Sequence, residues 1–201
     1  MTVLVALAGL SRPPARPPDS TRDIRLGISN ARQVVLALAA FEKKYGRYPD
    51  EETAVRVQEE AGESPGSAGH SSNSIFRQLF AAGVTEDEKM FYAKISGSRI
   101  PDGAISGERL LEKGECAFSY LAGATKGDPP GRPILAAPMI PGTDRFDPKP
   151  FRGRAIIATV GGSVRSVTIN KDGHAMQRGE NLLDPQRSIW STRPPVVKWH
   201  E

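Results

Sequence analysis

Histidine, cysteine and carboxylate side chains are the groups of this chain that could do chemistry, and their spacing decides what chemistry that would be. His70, His174 and His200 stand far apart, with no i, i+4 pair and no neighbouring cysteine or aspartate ladder, so they form no zinc pattern and read as solvated loop residues. Asp144 and Asp147 share the loop Gly142-Thr-Asp-Arg-Phe-Asp-Pro, where their oxygens suit a hard cation such as calcium. Capping of the loop backbone is the simpler account of both, and no metal is assigned. Glu51, Glu52, Glu59 and Glu60 could pair as general acid and base, but they fall on a short exposed helix, where a run of charge is a solvated face. Cys116 lies in an alternating apolar run with no base nominated beside it, which fits a small buried thiol better than a nucleophile. A single cysteine also excludes an intrachain disulfide. Gly161-Gly162-Ser163 sits between two strand-like runs without a following helix to supply oriented amides, so it is no phosphate loop. No catalytic or cofactor-binding residue follows, and the expectation is a protein that is not an enzyme.

The elements that must position these groups divide the chain in two. With 201 residues, 38% apolar and 25% charged, one domain with its own core is expected, and the 20 glycines and 17 prolines imply long loops. The formal charge is +4, but lysines and arginines are scattered without a basic block interleaved with aromatics, so no nucleic-acid partner is expected. Residues 1–10 are apolar and uncharged, and four prolines follow within 11–18, a stretch that reads as an apolar remnant and Pro-rich linker ahead of a globular domain spanning 19–201. No run of 18 apolar residues is present.

From Asp19, Ser20 and Thr21, all competent caps, Ile24, Ile28, Ala31, Val35, Leu38, Phe41 and Tyr45 recur at steps of three and four, predicting an amphipathic helix of about 24 residues. Gly46 ends it, Tyr48 can fold back over its end, and Pro49 fixes the exit. Asp50 caps a second helix fading by Gly62. Ile75, Phe76, Leu79 and Phe80 mark a third, stopped by Gly83. Residues 84–114 lack periodicity and read as a functional or partner-facing loop with room for short pieces of structure. Strands are expected over Cys116–Leu121, Ile134–Ala137, Ala155–Val160 and Ser163–Ile169, with a two-residue hairpin at Gly161-Gly162 and a turn at Lys171-Asp172-Gly173 leading towards Met176. Trp190 and Trp199, in a Pro-rich tail, should pack across the domain. The class is α+β: a long N-terminal helix on an antiparallel sheet, with two short helices and long loops.

The helix running from Asn30 to Phe41, the turn Lys44-Tyr45-Gly46-Arg47-Tyr48-Pro49 and the acidic start Asp50-Glu51-Glu52 together resemble the major pseudopilin of type II secretion systems and related pilin-like proteins. Lys113 to Leu121, Phe151 to Ile157 and Ser163 to Val167 are similar to sheet segments of pilin-like proteins from Verrucomicrobia-type bacteria, although Gly161-Gly162 stands where those relatives often carry Asp-Gly. The resemblance implies a pilin-like fold and a structural subunit of a secretion pseudopilus or type IV pilus-like filament in the cell envelope. Such a subunit lies on the periplasmic face of the inner membrane or outside the cell. Its partners would be other pilin-like subunits and the secretion machinery, and the helix stripe would serve both the sheet and neighbouring subunits. Calcium, which some major pseudopilins bind near the sheet, is the one ion the resemblance suggests.

Neither the basic leader nor the Phe-Thr-Leu-Ile-Glu-like segment of a complete pilin precedes the helix, so residues 2–10 read as the tail of a membrane helix, and either Met1 is a misplaced start, the favoured reading, or the chain is a degenerate subunit that cannot be processed. The chain as given is then expected to be a soluble monomer. The competing expectation is an extracytoplasmic pilin-like binding module that does not polymerise.

Overall fold

Helix α1 (Asp19–Tyr45) carries its apolar residues on one face because their spacing follows the helical period. Ala31, Val34, Leu38 and Phe41 are fully buried, Val35 and Tyr45 nearly so, and Ile24 and Ile28 pack at the margin of the same core. The structure, a computed structural model, describes residues 19–62, 71–190 and 193–201. The linker assigned to residues 1–18, His70 and most of the Gly/Ser-rich loop before α3 therefore lie outside the described residues.

Gly46 ends α1 at φ +79°, its N–H donating to the Glu42 carbonyl at 2.7 Å, a left-handed stop that favours glycine. Asp50 then opens α2 (Glu51–Ala61) through a reciprocal cap with Thr53, and Gly62 closes it. Ser71 caps α3 (Ser72–Ala81), whose Ile75, Phe76, Leu79 and Phe80 enter the main core; Gly83 follows in the left-handed region, as its place in the sequence predicted.

The segment expected to be a partner-facing loop is instead half internal. It forms a short 3-10 helix (Glu88–Phe91) and buries Met90, Phe91, Ala93, Ile95, Leu110 and Leu111, so much of its sequence serves the core without any helical or strand period to announce it.

Seven antiparallel strands follow among the described residues: β1 (Ser119–Ala122), β2 (Pro133–Ala137), β3 (Arg154–Thr159), β4 (Val164–Ile169), β5 (Ala175–Gln177), β6 (Glu180–Asn181) and β7 (Val196–Lys198), in the order β6-β5-β4-β3-β2-β1-β7. The first strand is shorter than expected, since Cys116 to Phe118 only approach the sheet, with the Ala117 N–H donating to Phe91. The β3–β4 hairpin also differs from the two-residue expectation: the connection spans 160–163, with Ala158 paired to Val164 and Gly162 at φ +83°. The turn at 171–173 is as expected, held by Asn170 Oδ1, which accepts from the Asp172 and His174 amides.

Period-two alternation sends Tyr120, Leu135, Ile156 and Ala158 to the α1 side and Leu121, Ala136, Ala155 and Ile157 to a second core on the other side. The chain crosses that outer side between β6 and β7. Leu182, Leu183 and Trp190 are buried there, and the Trp190 indole donates to the Leu182 carbonyl at 3.1 Å. Arg132, fully buried, lies 5.1 Å from the Trp190 ring and 3.6 Å from Asp128, which also pairs with Arg193. This cluster holds the crossing segment to the β1–β2 connection. Trp199 donates to the Thr143 carbonyl at 2.9 Å, so both tryptophans pack across the domain.

Candidate functional site

Two faces of α1 differ in what they touch. The inner face meets β3, β4, the 3-10 helix and α3. Asn30 adds a polar anchor, its side-chain amide donating to the Lys89 and Tyr92 carbonyls at 3.0 and 2.8 Å, which ties the 3-10 segment to the helix. All seven residues of the predicted stripe, from Ile24 to Tyr45, therefore pack within the chain itself.

On the outer face Arg25, Ser29, Arg32, Gln33, Ala39, Ala40 and Lys43 are exposed. Leu26 is 43% and Leu36 70% exposed, the latter beside a shallow hollow of about 230 Å³ formed with Ala39, Tyr48, Ile134 and Val160. These residues, with exposed Arg22 and Lys44, are what α1 offers to another molecule, and the apolar period did not single them out because it reports the buried face. By length and composition α1 passes for a membrane-crossing helix, although it carries no run of 18 apolar residues and commits one face to the core.

The helix-stop residues form one corner. Tyr48 and Pro49 are buried behind Gly46, and Arg47 pairs with Asp50 and Glu52, linking the turn to the start of α2. Behind the cap, buried Thr53 donates to Gln78 Oε1 at 2.8 Å, while Gln78 Nε2 donates to the Asp50 carbonyl at 2.9 Å. The corner is thereby bolted to α3.

Burial pushes the Cys116 thiol up to about 12, and its neighbours are the Ser72 hydroxyl and the Phe118 carbonyl, neither of them a base. His200 approaches Ser119 Oγ at 3.2 Å, and burial lowers its pKa. Cys116 and His200 line a largely apolar cavity of about 290 Å³ with Ile95, Met139 and Asp147. Asp147 accepts the Ser96 hydroxyl at 2.7 Å and the Lys149 amide at 2.9 Å, the loop-capping role. Asp144 is exposed, 3.8 Å from His174. Neither belongs to a group of three potential ligands among the described residues. One such group does occur, formed by Glu88, Asp102 and Glu115, whose separation in sequence and irregular backbone left no spacing to read.

Comparison of the chain with protein-family models, with curated proteins and with solved structures gives no match. The architecture, a long N-terminal helix packed on a curled antiparallel sheet, is compatible with a pilin-like fold.

Proposed function

We propose that the chain is a pilin-like structural subunit, belonging to a type II secretion pseudopilus or a type IV pilus-like filament, that acts by assembly and protein contact rather than by catalysis. The supporting observation is the division of α1. One face is sealed on the sheet while the other leaves Leu26 and Leu36 in solvent among small and basic residues. Leu36, 70% exposed at the middle of the helix, is apolar surface that a neighbour can cover, and burying it would stabilise the contact by up to about 1.5–3 kcal/mol.

In this reading the subunit works at the periplasmic face of the inner membrane or outside the cell. Its membrane contact would lie N-terminal to α1, outside the described residues, and its partners are further pilin-like subunits and secretion machinery. Neither nucleic acid nor cofactor has a role.

Cysteine cross-linking in producing cells tests the proposal, and buried Cys116 leaves the background low. Leu36→Cys and Ser29→Cys should form oxidative cross-links between copies or with partner subunits, while Arg178→Cys, on the far edge of the sheet, should not. Equal cross-linking at all three positions, or none in folded and exported protein, would overturn assembly through this face and leave a pilin-like binding module that does not polymerise.

A further inference from the structure

The cavity that Cys116 and His200 line has walls from three parts of the chain, each fastened in place. The turn 95–98 closes on itself, Ser98 Oγ donating to the Ile95 carbonyl at 2.9 Å and accepting the Ile95 amide at 3.0 Å. Along 199–201 the Trp199 carbonyl accepts from Ser72 at 2.8 Å and the Glu201 carbonyl from Gly114 at 2.6 Å. In the third wall the Pro138 carbonyl accepts from the Asp147 amide at 2.9 Å, and the Ile140 amide donates to the Arg145 carbonyl at 2.8 Å. The Ser96 hydroxyl, donating to Asp147 at 2.7 Å, joins the first wall to the third. Walls tied in this way hold the space open as a preformed site.

Most of the polar side chains around this space are already engaged or stand at its exposed rim. Ser96 and Ser98 are hydrogen-bonded as above, Asp147 also accepts from the Lys149 amide, and Lys113 and Glu201 are exposed. His200 is the exception. Its Nδ1 meets Ser119 Oγ at 3.2 Å, whereas its Nε2 has no hydrogen-bond partner among the described residues and is not sealed from solvent.

We propose that this cavity binds a small, neutral aromatic alcohol, with its ring among Ile95, Cys116 and Met139 and its hydroxyl on His200 Nε2. Volume sets the size of the ring system: an apolar cavity of about 150 Å³ takes benzene, and the 290 Å³ present here has room for two fused rings. Cys116 and Met139 favour an aromatic ligand over an aliphatic one, because their sulfurs make favourable contacts with ring edges. The hydroxyl follows from the imidazole. A hydroxyl both donates and accepts, so it satisfies Nε2 in either tautomer, and burial keeps the ring in its neutral form. Charged ligands are disfavoured: Asp147 and Glu201 outnumber Lys113 against an organic anion, and a cation would surrender its hydration to apolar walls. The cavity shares no lining residue with the hollow beside Leu36, so the site is independent of assembly through α1.

The intact chain is titrated with 2-naphthol by calorimetry, and the histidine ring nitrogens are followed by NMR. One equivalent should bind and shift the His200 Nε2 resonance. Naphthalene, which offers the rings alone, should bind about three- to tenfold more weakly. His200→Phe keeps a ring and removes the nitrogen, and should bring 2-naphthol down to the affinity of naphthalene. Because losing the contact with Ser119 can itself disturb folding, Ile140→Trp is the second variant: Ile140 lines the cavity and is 41% exposed, so the larger side chain should keep the melting temperature and abolish binding of both ligands. Leu36→Ala should bind both as the wild type does. No binding of 2-naphthol to the folded wild type at millimolar concentration, equal affinity for 2-naphthol and naphthalene, or undiminished binding by both cavity variants would each overturn the site, and none of these results bears on cross-linking through Leu36.

Discussion

Ile156 on β3 occupies the notch that Gly27 leaves in α1: a Cβ built on Gly27 would lie 2.5 Å from the Ile156 Cδ1 and 3.3 Å from the Ala93 Cβ. The glycine is thus not a helix defect but the point of closest approach between helix and sheet. Gly27→Ala gains about 1 kcal/mol of helix propensity and meets an overpacking cost of about 1–3 kcal/mol, because fully enclosed Ile156 has little room to turn. The expected outcome is net destabilisation in the wild type and stabilisation when Ile156→Val has removed the offending methyl. Urea unfolding of the four proteins in the cycle measures this coupling, and additive effects would show that the contact is not the reason for the glycine.

The corner between α1 and α2 should be the next most sensitive polar feature. Asp50 accepts from the Thr53 amide at 2.8 Å, and its own N–H is answered by Thr53 Oγ1 at the same distance. Asp50→Ala removes one half of this box and should cost about 0.5–2 kcal/mol in chemical unfolding with an unchanged m-value. Thr53→Val should cost more than an exposed cap would, because it also leaves buried Gln78 Oε1 without its donor.

What the sequence disclosed was periodic, and what it concealed was not. The spacing from Ile24 to Tyr45, the Gly46 stop and the Asp50 cap translated directly into α1 and α2, since each depends on residues within a few positions of one another. β7 was invisible because three residues after two prolines carry no alternation, and its pairing with β1 is decided by the crossing segment that Trp190 anchors. The acidic cluster and the Asn30 anchor escaped for the same reason: their partners are brought together by a loop, and nothing in the order of residues encodes the meeting. The stripe on α1 was legible as a packing surface, but its uncovered side appears only when the sheet is in place.

Cys116 should be chemically silent in the native state. Its thiol is fully buried and pushed up to about 12, so at pH 8 the thiolate that thiol reagents require is nearly absent. Ellman's reagent should read close to zero free thiol in buffer and one per chain in denaturant, and the rate of labelling in buffer should follow the rate of opening. Rapid stoichiometric labelling of the folded protein would mean that the cavity beside Cys116 admits reagent freely.

His200 gives the stability a pH dependence whose direction follows from its burial. The folded state holds its pKa below the value of about 6.5 that it regains in the unfolded chain, with desolvation as the cause. Above pH 7 the ring is neutral in both states and contributes nothing that changes with pH. As the pH falls below about 6.5, the unfolded chain binds the proton first, so stability declines until the pH passes the folded-state pKa, below which both states are protonated and the contribution is constant. His200→Gln keeps a polar atom near Ser119 and removes the titration. The difference in unfolding free energy between wild type and variant, which cancels the carboxylates common to both, should be level above pH 7 and shrink towards pH 5. A difference that stays constant across that range would show that His200 takes up its proton as readily in the folded protein as in the unfolded chain.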